Sequence, residues 1–316
     1  MRVAIVGAGL SGLVAARQLA AAGVDVAVVD KGRSPGGRLA TRRIGDATLD
    51  HGAQFFTVRT PAFRRQVDEW LDRGLVSIWS NGFVSDDGHP RYVAVAGMNS
   101  LAKDLAVGLD VRCSTMAFTI RPAVDGSDNA AWHVVIDDGK TIGSDAVIVT
   151  TPLPQAFSLL VDSGVHLDEA LIRTDYDRTI ALLATLDRTP EIPAPGGLQG
   201  PTPDISFVAD NQAKGVSAAP AITVHASANW SEQHWDDDLD DLRMQLLDLA
   251  RPWIGGADVG EAHVKKWRFA TPKTTWPDPC WVAPGGTVVL AGDAFDGPRV
   301  EAAHNSGLAA AHALVG

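Results

Sequence analysis

The sequence predicts an α/β fold: a parallel-sheet domain with a glycine signature, into which an α+β domain having a mixed sheet is inserted. Three observations predict it. A strand–helix–strand pattern fills the first thirty residues; an apolar strand, Gly292-Asp293 and an alanine-rich helix close the chain; between them, short apolar strands alternate with turn-rich segments.

The bulk properties bound the problem. With 316 residues the chain is long enough for one large domain or two modest ones. It is 46% hydrophobic and 21% charged, a composition that folds rather than stays disordered. A formal net charge of −11 argues against nucleic acid as the main partner, because phosphate binding wants a basic face. Cys113 and Cys280 are far apart and in no CxxC pairing, so neither a disulfide framework nor a metal site is expected, and a reducing cytoplasm fits. The N-terminal stretch superficially resembles a secretory signal, but Arg17 and Gln18 interrupt its apolar run and a strand follows directly. No apolar run approaches the ~20 residues of a membrane helix, so no membrane partner is expected.

Arg2–Val6 reads as a buried parallel strand, Leu13–Ala22 as a helix stopped by Gly23, and Asp25–Val29 as a second strand. The turn between the first two is Gly7-Ala8-Gly9-Leu10-Ser11-Gly12. Gly7 permits the tight turn, Gly9 removes a side chain where a pyrophosphate approaches, and Gly12 lets helix and strand pack closely. The helix N-terminus then offers N–H groups and partial positive charge to the phosphates. Asp30, at the end of the second strand, can accept from ribose hydroxyls and disfavours a 2′-phosphate. These features predict a Rossmann-type dinucleotide site, the alternative being a glycine-rich βα turn with no ligand. The fingerprint does not by itself separate NAD from FAD.

Residues 31–65 carry a net charge of +6 in this acidic chain, concentrated around Lys31, Arg33, Gly36, Gly37, Arg38, Arg42 and Arg43. A solvated face also produces a charge run, but it has no need of a Gly-Gly pair that allows close backbone approach. Arg38 can reach a pyrophosphate from the side opposite the helix dipole. Arg42 and Arg43 suit either cofactor support or solvent.

At the other end, Thr287–Ala291 is an apolar strand followed by Gly292-Asp293, where an open α/β sheet binds ligands and where Gly-Asp is also ordinary turn chemistry. A terminal helix is expected over Leu308–Leu314. In the middle, Asp110–Arg121 reads as a strand pair, Asp145–Thr150 as a strand closed by Thr151-Pro152, and Ile180–Leu186 and Ala221–Ala226 as strands. Leu239, Leu242, Leu246, Leu249 and Trp253 recur at helical spacing behind Asp236, Asp237 and Asp238, which read as helix-capping acids rather than a metal site. The expected division is 1–59, 97–154 and 281–316 for the dinucleotide-binding domain, and 60–96 and 155–280 for the substrate domain.

Asp30-Lys31-Gly32-Arg33 with Ser34-Pro35-Gly36-Gly37-Arg38 resembles the segment after the Rossmann unit in FAD-dependent amine-oxidase-type flavoproteins. The longer GGRLATRR followed by DHGAQFFT is similar to the bacterial renalases and renalase-like oxidoreductases. Further matches are Arg91-Tyr92-Val93, Gly97-Met98-Asn99-Ser100-Leu101, Thr151-Pro152, Trp230-Ser231, Lys266-Trp267-Arg268 and the C-terminal block, so the resemblance runs along nearly the whole chain.

The resemblance implies a Rossmann-like FAD-binding domain holding non-covalent FAD, since neither cysteine lies where the family's covalent branch attaches it. It places Gly7, Gly9, Leu10, Ser11, Gly12, Asp30, Lys31, Gly36, Gly37, Arg38, Ala53, Gln54, Phe55, Ala117, Thr151, Gly292, Asp293 and Val300 against the cofactor. Ala117 would meet adenine through its backbone, Asp293 the ribitol chain, Gln54 and Phe55 the isoalloxazine, and the start of the terminal helix the pyrimidine side of the flavin. It also implies oxidation of the 2- and 6-dihydro isomers of NAD(P)H to NAD(P)+, with hydride transfer to flavin N5 and O2 reduced to H2O2. The partners implied are this small-molecule substrate and O2, with no nucleic acid. Phe55, His225, Trp267, Phe269 and His304 are the substrate-cleft candidates; for each of the first four, taken singly, core packing is the commoner role. His304 also reads as an ordinary helix-surface histidine.

Three departures bear on function. Phe55 stands where relatives commonly carry Tyr, His304 and Asn305 stand where they carry bulkier apolar residues, and Tyr92 and Tyr176 lie outside the stretch that supplies the paired tyrosines of monoamine-type oxidases. The competing readings are an amine oxidase or desaturase of the same superfamily, and a flavin-binding protein without turnover.

Overall fold

Four of the five residues of Arg2–Val6 are buried, as a parallel strand covered on both faces requires. In the computed structural model, which describes residues 1–83, 85–123 and 129–316, this strand opens the following series. The first elements are β1 (Arg2–Val6), α1 (Leu10–Ala21), β2 (Asp25–Val29), β3 (Thr41–Ile44), β4 (Ala47–Asp50), α2 (Pro61–Asp72), β5 (Val76–Ser80), β6 (Arg91–Ala94) and α3 (Asn99–Ala106). Then come β7 (Asp110–Arg112), β8 (Ala117–Pro122), β9 (Trp132–Ile136), β10 (Thr141–Ser144), β11 (Ala146–Val149), α4 (Leu153–Leu160) and α5 (Glu169–Ile172). The rest are β12 (Tyr176–Leu186), β13 (Gly197–Gln199), β14 (Ile205–Asp210), β15 (Ala221–Ala226), α6 (Ala228–Gln233), α7 (Leu239–Ile254), β16 (Val259–Pro272), β17 (Trp281–Val282), β18 (Val288–Leu290) and α8 (Val300–Val315).

Two units emerge. The first comprises residues 1–37, 101–175 and 272–316, the second 38–100 and 176–271. Residues 38–59 and 97–100 thus group with the second unit, and 155–175 and 272–280 with the first, whereas the sequence reading placed each of these on the other side.

The first unit is built on a six-stranded sheet in the order β17-β18-β11-β1-β2-β7. β1 pairs in parallel with β11 and β2, β11 with β18, and β2 with β7; β17 runs antiparallel to β18, making the sheet mixed. The antiparallel strands β10-β9-β8 form a second sheet. α1 begins at Leu10, three residues earlier than its apolar pattern suggests, directly after the extended Gly9. α8 begins at Val300 rather than Leu308. Gly307 does not interrupt it, because the missing side chain is what lets α1 approach: a Cβ on Gly307 would stand 2.3 Å from the Ser11 carbonyl oxygen.

The second unit centres on a five-stranded sheet, β13-β14-β15-β12-β16, whose β13–β14, β14–β15 and β15–β12 pairs are antiparallel. The period-two alternation of β12 decides what covers each face. Ile180, Leu182 and Ala184 pack with Leu242, Leu246 and Trp253 of α7, while Leu183 packs with Ile44 and Leu49 of the β3–β4 hairpin. Leu239, expected on the apolar face of α7, is exposed at its first turn. Asp238 caps that helix by accepting from the Asp240 N–H at 2.8 Å. Thr60 caps α2, and Phe63, Val67 and Trp70 form its buried stripe. Among the described residues no helix is long and apolar enough to cross a membrane.

Candidate functional site

In the first unit the turn from β1 into α1 is shaped by what glycine lacks. Gly7 sits at φ +114°, and a Cβ on Gly12 would lie 2.0 Å from the Gly7 carbonyl oxygen. Only a side-chain-free residue lets the helix start this close to the strand. Gly9 differs: no atom lies within 4 Å of where its Cβ would be, so its backbone borders open space. α1 has no side-chain cap and no acid in its first turn, which leaves its N-terminal positive end uncompensated by either. The hydroxyl of Ser11 is buried without a hydrogen-bond partner.

The Gly36-Gly37 pair closes on this turn. The Gly36 N–H donates to the Ala8 carbonyl at 2.9 Å, and a Cβ on Gly37 would stand 3.3 Å from the Gly9 Cα. Asp30 ties the same loops together, accepting from the Ala8 N–H at 2.7 Å and the Gly32 N–H at 2.6 Å. Each carboxylate oxygen keeps acceptor capacity after these bonds. Lys31 is exposed.

The late strand ends as expected in a glycine, Gly292, at φ +144°. Its N–H donates to the buried Ser306 hydroxyl of α8 at 2.8 Å, which binds the Gly292-Asp293 turn to the helix. Asp293 is half-buried, as are Val300 at the start of α8 and Ala117 at the start of β8. Thr151 carries a second buried, unpartnered hydroxyl. His304 is not on the helix surface: it is 3% exposed, and its Nδ1 lies 3.1 Å from the Asn305 side-chain oxygen. Glu301, in the first turn of α8, is also buried.

A dinucleotide fits this set. The open space beside Gly9, the helix start without a side-chain cap and the unpartnered Ser11 hydroxyl suit a pyrophosphate.

The remaining candidates lie in the second unit. Arg38 donates to the Ala270 carbonyl at 3.2 Å. Gly52 is obligatory, since its Cβ would meet the Arg38 carbonyl oxygen at 1.9 Å, and the Ala53 N–H donates to that oxygen at 2.8 Å. Phe55 packs edge-on against Phe83 at 5.2 Å and near Phe207 at 5.9 Å, in an aromatic cluster with Trp79. Phe269 packs edge-on against Tyr176. Trp267 stacks on His51, with centroids 5.4 Å apart and planes inclined by 25°, and its indole N–H donates to the His51 carbonyl at 2.7 Å.

Gln54 and His225 belong to a buried polar network that sequence patterns did not reveal. Its base is an ion pair, Lys214 Nζ to Asp50 Oδ2 at 2.8 Å, with both side chains fully buried. Asp50 Oδ1 also accepts from the Thr41 hydroxyl at 2.6 Å and the Met98 N–H at 2.8 Å. Gln54 lies between Lys214 and His225. Burial pushes the His225 imidazole down to about 4, with the nearby His51 and the Lys214 charge acting the same way. His51 is also held at about 4, chiefly by burial and then by the Lys265 charge, and its Nδ1 is buried without a partner. Both rings are therefore neutral at pH 7. Burial likewise lowers the Lys214 pKa, opposed by Asp50. Asp50 and His51 were visible only as part of the DHGAQFF signature; no local signal marked Lys214.

Comparison with known proteins accords with this geometry. Residues 5–70 match the NAD(P)-binding Rossmann-like domain model, and residues 73–315 match the model of the flavin containing amine oxidoreductases. A hydroxyneurosporene desaturase from Rubrivivax gelatinosus is 47% identical over 58 residues, which is 18% of this chain and 11% of the desaturase. The match thus spans about a tenth of that curated relative. A provisionally named protoporphyrinogen oxidase from Exiguobacterium sp. 255-15 has the same fold, with a TM-score of 0.69 at 15% identity over 98% of each chain. An oxidoreductase from Methanosarcina mazei aligns with a TM-score of 0.65 at 14% identity, covering 98% of this chain and 99% of the other.

Proposed function

This chain belongs to the flavin containing amine oxidoreductase family, and we propose that it is an FAD-dependent oxidase of renalase type, acting on the 2- and 6-dihydro isomers of NAD(P)H. Bound FAD would supply the hydride acceptor and pass the electron pair to O2, so that dihydropyridine, O2 and a proton give NAD(P)+ and H2O2. The first unit is the FAD-binding domain and the second the substrate domain. Gly9, Leu10, Ser11 and the α1 N-terminus hold the pyrophosphate, Asp30 the adenosine ribose, Ala117 the adenine, and Asp293 the ribitol chain.

The observation that carries the substrate reading is the stack of Trp267 on His51, with neutral His225 in the adjoining network. A flat indole face suits a planar pyridine ring. An aliphatic amine that binds as an ammonium would look for a carboxylate, yet Asp50, the acid in this network, is already committed to Lys214. No nucleophile–base pair is needed, because hydride transfer asks the protein chiefly to orient the donor carbon and exclude water.

The test is anaerobic mixing of the flavin-loaded protein with each dihydro isomer. Rapid loss of flavin absorbance, restored by O2 with stoichiometric H2O2, is expected. Bleaching by amines but not by either isomer would replace this reading with an amine oxidase. The desaturase segment match keeps a dehydrogenation of hydrocarbon as the second reading, and it would be favoured by reduction with a polyene and not with the isomers.

A further inference from the structure

The side-chain amide of Gln54 has its orientation dictated on three sides. Its Nε2 lies 2.7 Å from the Asp50 carbonyl oxygen and 3.2 Å from the Gly52 carbonyl oxygen, both of which only accept. Its Oε1 lies 3.4 Å from Lys214 Nζ, which only donates. Turning the amide over would set oxygen against two carbonyl oxygens and an NH2 group against an ammonium, so the alternative is closed.

The fourth neighbour then has no choice either. Gln54 Nε2 stands 3.3 Å from Nε2 of His225. An amide nitrogen has no lone pair to offer, and its two hydrogens face three acceptors, so the longer contacts to the Gly52 carbonyl and to His225 share one hydrogen and the imidazole nitrogen at this contact accepts. A neutral imidazole with a bare Nε2 carries its proton on Nδ1. The Lys214 ammonium is placed in turn by Asp50, at 2.8 Å in a fully buried pair.

We propose that the buried Asp50–Lys214 pair acts through Gln54 to hold His225 in the Nδ1–H tautomer, making Asp50, Lys214 and Gln54 positioning residues for this imidazole. The lone pair of Nε2 is shared with Gln54 and does not take a proton from substrate, which leaves the ring's one N–H at Nδ1, while a hydrogen bond between the ring and the His51 backbone opposes the fall of its pKa. The neutrality of the ring at pH 7 accords with this. Its bearing on catalysis rests on the reading of His225 as a substrate-cleft residue; the tautomer itself does not, and can be measured without substrate.

The experiment is 15N NMR of imidazole-labelled, flavin-loaded protein at pH 7, with the His225 signals assigned from a His225→Gln spectrum. Wild type should show an unprotonated, pyridine-type Nε2 and a protonated, pyrrole-type Nδ1. Gln54→Leu should move both signals toward the averaged positions of a tautomer mixture. The paired removal Lys214→Met with Asp50→Asn, which leaves no uncompensated charge, should move them the same way. A proton on Nε2 in wild type overturns the proposal without any variant. An unchanged Nδ1–H signature in Gln54→Leu removes Gln54 from the device, and an unchanged one in the paired variant removes the ion pair. If the dihydro isomers fail to reduce the flavin while the tautomer behaves as described, the substrate reading fails and the positioning device stands.

Discussion

Lys214 and Asp50 are 164 positions apart in the chain, yet Nζ and Oδ2 meet at 2.8 Å with no solvent access to either side chain. A buried pair of this kind is costly to break on one side, because the survivor remains as an uncompensated charge in a medium of low polarity. Asp50→Asn alone should therefore lower stability by about 3–5 kcal/mol in denaturant titration. Asp50→Asn with Lys214→Met should recover most of that loss. Equal losses in the single and paired variants would show that the charges are not the issue.

The two depressed histidines set a pH dependence. His51 and His225 sit at about 4 in the folded protein, against an ordinary value of 6.5. Between these values the unfolded chain takes up protons that the folded one refuses. Stability is therefore complete above about 6.5 and is lost as pH falls toward 4, with a slope approaching two protons per molecule. Replacing both by Gln should flatten the stability–pH curve over that window. Neither ring should produce an inflection in kcat/KM near pH 6.5.

Gly9 and Gly12 separate binding from folding. Nothing lies within 4 Å of a Cβ on Gly9, whose φ of −75° suits alanine. Gly9→Ala should fold with an unchanged melting temperature in the flavin-free state and lose FAD on gel filtration. Gly12→Ala meets a carbonyl oxygen at 2.0 Å, so it should yield insoluble or markedly destabilised protein. Flavin absorbance per protein and thermal melting distinguish the two outcomes.

Arg38 and Arg33 test the basic run. Arg38→Ala should weaken FAD retention and Arg33→Ala should not, read as the flavin-to-protein ratio after dialysis. Equal retention would make the run a solvated face.

Trp267 offers a substrate test. Trp267→Phe keeps a ring for the stack but loses the bond to the His51 carbonyl, whereas Trp267→Ala loses both. An aromatic stack is worth about 0.5–1.5 kcal/mol beyond its area, so Trp267→Ala should raise KM for the dihydro isomers by roughly 3–10-fold, with Trp267→Phe nearer wild type.

What could be read in the sequence was local. The turn from Gly7 to Gly12, the Gly36-Gly37 pair and the strand ending at Gly292 each need backbone conformations that glycine permits, and the structure has Gly7, Gly36, Gly37 and Gly292 at positive φ. Gly307 shows the opposite case: helix breaking is the local tendency of glycine, and only the packing of α1 on α8 explains its place inside a helix. His304 read as a surface residue because the alanine-rich helix around it has no strong polar face, so nothing in its periodicity showed which side is buried.

The sequence by itself determined the class of fold and the dinucleotide turn, because both rest on short-range backbone sterics and on apolar periodicity. Only the tertiary structure decided that Asp50, Gln54, Lys214 and His225 form one network. Its members come from the end of β4, the loop after it, the turn following β14, and β15, and they meet because the β3–β4 hairpin packs on the five-stranded sheet. Charges and amides that must satisfy one another out of water are brought together by that packing, and no spacing along the chain records it.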